Sequence, residues 1–157
     1  MQTAEKIERT ALRNLIHNED YTRKVLPFLK SEYFQDRSER VVFSEIQKFI
    51  SQYNKRPTKE TLQIDLNKRK DLNEDEYKKI VDLISLLDPQ DVDLEWLVNT
   101  TEKFCKDRAV HNAVMEGIHI IDGKDKKHSP EAIPEILRDA LSVSFDNAVG
   151  HDYLLDI

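Results

Sequence analysis

The chain has 157 residues, of which 34% are charged, with three glycines, five prolines and a single cysteine. One cysteine excludes an internal disulfide or multi-thiolate metal site, and no apolar run nears the ~20 residues of a membrane span. The net charge of −6 excludes a general clamp for DNA phosphates, which needs clustered cations. The short basic groups Lys68-Arg69-Lys70 and Lys124, Lys126, Lys127 are expected to be solvated turns. Met1-Gln2-Thr3-Ala4-Glu5-Lys6 lacks the pattern of a signal peptide, so the expected location is cytoplasmic.

In chain order, Ala4 to His17 reads as a first helix, with Ile7, Ala11 and Leu15 in line and Leu12 and Ile16 beside them. Asn18-Glu19-Asp20 breaks it, and Asp20 is expected to cap a short helix that ends by Pro27. Phe28, Leu29, Tyr33 and Phe34 form an apolar knot expected to plug the core. From Ser38 to Tyr53, Val42, Ile46, Phe49, Ile50 and Tyr53 keep helical spacing. Thr58 should cap a helix with Leu62 and Leu66 inward and Ile64 off that line. Asn73 and Glu76 form a capping box before a stripe of Tyr77, Ile80, Val81, Ile84 and Leu87. No strict alternation suggests a sheet, so the expected fold is all-α.

A long helix follows, capped by Asp93 and stopped at Gly123. Its ~29 residues span about 43 Å, more than the ~32 Å diameter expected for a compact globule of the preceding ninety. Leu94, Leu97, Val98, Thr101, Phe104 and Cys105 form a first apolar stripe. Val110, Ala113, Val114, Gly117, Ile118 and Ile121 begin a second, widened by Ala109, Ile120 and Met115 to about 240° of arc. A returning helix carries Ile133, Ile136, Leu137, Ala140, Leu141, Val143, Ser144 and Phe145 over roughly 200°. Two facing helices need about 100° each. The surplus is covered either by the chain's own globule or by a second copy. The domain reading is 1–92 helical globule, 93–145 long-helix hairpin, and 146–157 the start of a linker.

Catalytic signals are weak. Gly117 to Asp125 departs from a phosphate loop in spacing and in its last residue, and lies mostly on a helix. Glu116 and His119 supply only half of a di-iron pattern, and Asp125/His128 falls in the turn. The other histidines lack metal-ligand spacing. No catalytic, cofactor-binding or metal site is expected in this chain.

Some stretches carry a more specific likeness: Ser31-Glu32-Tyr33-Phe34, then Trp96-Leu97-Val98 with Thr101-Glu102-Lys103, and Ala132 through Ser144 to Phe145-Asp146. Together with the first helix, the Pro57-Thr58 loop and Val149-Gly150-His151-Asp152, they resemble the N-terminal domain of DnaB-type replicative helicases, in particular those of T-even-like phages. The resemblance implies a parent ring helicase, hexameric, translocating on single-stranded DNA with ATP and Mg²⁺ held in a motor domain beyond this chain. It implies a collar built as a trimer of dimers, with self, primase and a helicase loader as partners, little or no DNA contact by this domain, and a host cytoplasm. The subunit interface is expected at Ala113, Gly117, Ile118, Ile120, Ile121, Ile133, Ile136, Leu137, Ala140 and Val143. Ile120→Asp should then weaken self-association with helix content intact. The competing readings are an unrelated helical interaction module, such as a phage regulator or adaptor, and a di-iron helical enzyme.

Overall fold

A computed structural model describes residues 5–145. Among them every regular element is helical. The contacts divide the chain into two units, Met1–Val98 and Asn99–Ile157, with the boundary inside the long helix.

In the first unit α1 (Ile7–His17) begins three residues later than Ala4, because Lys6 is extended. The Glu5 carboxylate accepts a hydrogen bond from the Thr10 hydroxyl at 2.6 Å. The α2 helix (Glu19–Val25) is capped by Asn18, not Asp20: the Asn18 side chain accepts from the Tyr21 N–H. Asn18 is extended at the end of α1, which places its side chain over the next helix's first free amides. Two 3₁₀ turns, Leu26–Phe28 and Ser31–Tyr33, carry the aromatic knot. Tyr33 and Phe34 are buried, and Phe34 stacks on Phe43 with centroids 5.1 Å apart.

The central α3 (Arg37–Tyr53) packs against α1, α4 (Lys59–Asn67) and α5 (Glu74–Ser85). Asp36 caps its start, and Asn54 at φ 55° ends it, a left-handed position that asparagine tolerates. Thr58 with Thr61 caps α4, and Asn73 with Glu76 closes the expected capping box of α5. Leu62 and Leu66 are buried and Ile64 is exposed, as their spacing requires. The inward stripe of α5 is Ile80, Leu83, Ile84 and Leu87, with Tyr77 and Val81 only half-buried. The chain leaving α5 is held by side chains from elsewhere in the unit. Arg13 donates to the Leu86 and Asp88 carbonyls at 3.0 and 2.9 Å, and His17 Nε2 donates to the Leu87 carbonyl at 2.7 Å. Lys59 reaches the Ser85 carbonyl and the Asp88 carboxylate. The Ser85 and Leu86 carbonyls are among those that a helix end leaves without intrahelical partners.

The long helix α6 (Leu94–Ile121) starts where Asp93 accepts from the Trp96 N–H at 2.8 Å. It stops at Gly123, whose φ of 77° suits a residue without Cβ. A turn and a 3₁₀ segment (Pro130–Ala132) lead into the short α7 (Ile133–Leu141). Gly117 therefore sits on α6 and Gly123 just past its end, so they frame no phosphate loop. No described helix is long and apolar enough to cross a membrane. The expected linker, 146–157, lies outside the described residues.

Candidate functional site

Within the second unit α7 runs back along α6 and is fastened near both of its ends. At the turn end, a methyl of Ile133 lies 3.6 Å from where a Cβ on Gly117 would stand. At the other end, the Glu102 carboxylate accepts from the Phe145 N–H at 2.7 Å and from the Ser144 hydroxyl at 3.4 Å. Phe145 is buried there. The two helices are unequal: at 1.5 Å per residue the 28 residues of α6 extend about 42 Å and the nine of α7 about 13 Å.

The ten residues expected at a subunit interface fall into three groups. Ala113, Gly117, Ile120 and Ala140 are buried already, Ile120 to 5% exposure. Ile133, Ile136, Leu137 and Val143 are half-buried. Ile118 and Ile121 are exposed, at 43% and 70%. Val114 and Met115, which lie on the same flank of α6, are 45% and 40% exposed. Each of Val114, Ile118 and Ile121 comes one residue after a buried one (Ala113, Gly117, Ile120), so the exposed stripe lies about 100° round the helix. Leu141 on α7 is exposed too. Ile120→Asp is consequently a poor test of association, because it puts a carboxylate into the packed hairpin. Gly117 lies opposite Ile133 on α7. A Cβ there would make ordinary contact with Ile133, so the packing of α7 does not require glycine.

The Cys105 thiol is buried, and burial together with the Glu102 charge pushes its pKa up to about 12, far from a reactive thiolate. The turn brings Glu116, Asp125 and His128 together, with one ligand atom of each within 4.8 Å of the others. Sequence spacing missed this trio because Glu116 lies a full turn of the chain before its partners. Asp125 accepts from the Lys127 N–H at 2.8 Å and lies 3.1 Å from His128 Nδ1, and these bonds hold its carboxyl below the usual range. The trio closes the turn onto α6.

No family model matches this sequence. A similar protein is the DnaB-like replicative helicase of Enterobacteria phage T4, 37% identical over 153 residues. The match covers 92% of this chain but 32% of that helicase, so the chain spans about a third of its relative's length. The identity runs along nearly the whole of this chain, and the third of that helicase it matches is consistent with an N-terminal domain.

Proposed function

We propose that this chain acts as the N-terminal collar domain of a hexameric replicative DNA helicase in phage DNA replication. In this reading its hairpins pair copies into dimers and a trimer of dimers, and the collar docks primase and a helicase loader. ATP and Mg²⁺ would be held by a motor portion of the longer protein, which would work in the host cytoplasm, with little DNA contact from this domain. The observation that carries the reading is the apolar stripe Val114, Met115, Ile118 and Ile121 on the outer flank of α6. Such a stripe is costly to leave in water, at roughly 25 cal/mol per Å², and a second copy of the same hairpin is apolar in the same place. The identity to a replicative helicase disfavours an unrelated adaptor.

Light scattering across a range of concentrations tests the association. The expected mass is an even multiple of the 18.4 kDa chain, rising with concentration. A single-chain mass at every concentration would remove the collar reading's physical basis. Primase docking is checked separately, by co-sedimentation with a purified primase of the same replication system.

A further inference from the structure

The first unit holds a surface of its own. An open cleft of about 700 Å³ lies where the ends of α1 and α3 and one face of α2 meet the start of α4. Its volume is in the range of sites that take a compact ligand or a few side chains of a partner. Aliphatic groups, Ile16, Ile50 and Pro57, line part of the wall.

The rim is cationic on a chain whose net charge is negative. Four cationic side chains, Arg23, Lys55, Arg56 and Lys59, line it against two carboxylates, Glu19 and Glu60. Two of the four are already matched: Arg23 pairs with Glu19 and Lys59 with Asp88. Arg56 instead donates to the Ile16 carbonyl at 2.7 Å, a neutral partner that anchors the guanidinium without cancelling its charge. Lys55 is exposed beside it. Helix α4 opens at the same place, and the Thr58 side chain takes only the Thr61 amide among its first N–H groups. Guanidinium, ammonium and helix start thus face one mouth, next to an apolar wall.

We propose that this cleft docks an acidic peptide segment of a partner protein, with a carboxylate at Lys55 and Arg56 and an aliphatic side chain against the half-buried Ile50. Charge complementarity selects the partner's sign, and the wall selects a segment in which acids alternate with aliphatic residues. Single-stranded nucleic acid is the poorer occupant. Its lining holds no Phe, Tyr or Trp for a base to stack on, and its one imidazole, His17, is tied to the Leu87 carbonyl at 2.7 Å. The proposal stands independently of the collar reading.

The probe is a fluorescein-labelled peptide of three Ser-Asp-Leu-Glu repeats, followed by anisotropy at low salt. Binding to the wild-type chain is expected with a Kd below about 1 mM, and the same peptide with lysine for every acid should not bind. Lys55→Glu, at an exposed position, should weaken binding by about five-fold or more, and Glu60→Gln should tighten it. Absence of acidic-peptide binding, equal binding by Lys55→Glu with an unchanged melting temperature, or displacement of the peptide by oligo-dT each overturns the proposal.

Discussion

Ile121 offers the sharpest test of the hairpin as a pairing surface. It is 70% exposed in the last turn of α6, so its substitution removes little from the fold of one copy. Lysine suits this position, because cations are favoured at a helix C-terminus. Covering an isoleucine fully yields roughly 1.5–3 kcal/mol, so covering the exposed remainder of Ile121 yields about 1–2 kcal/mol per copy. A two-fold interface counts each substitution twice, giving about 2–4 kcal/mol for Ile121→Lys before charge repulsion is added. At 1.4 kcal/mol per decade that weakens the dimer roughly 30- to 700-fold. Sedimentation equilibrium at several concentrations reads the change, and circular dichroism checks that the helices persist. Ile64→Lys is the control, since Ile64 on α4 is similarly exposed but far along the chain from the hairpin. An Ile121→Lys chain that associates as tightly as the wild type refutes the argument, as does equal weakening by Ile64→Lys.

Other parts of the structure give independent expectations. Glu102→Ala should cost about 1–2 kcal/mol, because the Phe145 N–H and the Ser144 hydroxyl lose a charged acceptor, and faster amide exchange at Phe145 reports it. The Arg69 guanidinium beside Asp71 holds that carboxyl at about 2 rather than 3.8, so its contribution to stability is present above pH 3.8 and is lost as pH falls from there towards 2. A carboxyl-carbon NMR titration should place the Asp71 midpoint near 2, and Arg69→Met should return it towards 3.8. Gly117→Ala should stabilise a single copy by roughly 0.5–1 kcal/mol, since the new methyl meets Ile133 at ordinary contact distance. Urea denaturation at a concentration where the chain is monomeric measures that gain, and a loss would show that the hairpin is tighter than its geometry.

What could be read from the residues was mainly local chemistry. Asp93, Thr58, the Asn73–Glu76 box and Gly123 mark helix ends because capping depends on a side chain within three residues of a free amide, or on one left-handed position. Asn18 and Asp20 are equally able to cap, and the choice between them was fixed only by where α1 stops. Leu83 belongs to the core stripe of α5 where Val81 was expected, because a stripe at 100° per residue leaves its two flanks equivalent until a neighbour chooses one. Glu116, Asp125 and His128 could not be read at all, since only the closed turn brings them together.

The same limit explains why the interface residues divided as they did. An apolar arc of about 240° says that α6 has more than one greasy neighbour, but not which third of the arc each takes. In the structure that division is set from the α7 side. Ile133 against Gly117 and Glu102 against Phe145 fix the face that α7 covers, and Ala113 and Ile120 are buried while Ile118 and Ile121 are left out. Length adds a second reason for the surplus that periodicity could not supply: a helix of nine residues cannot shield one of 28, whatever its arc. Val114, Met115, Ile118 and Ile121 therefore form a surface that belongs to neither helix's partner within the hairpin, and a cation at Ile121 probes it without touching the contacts that close the hairpin.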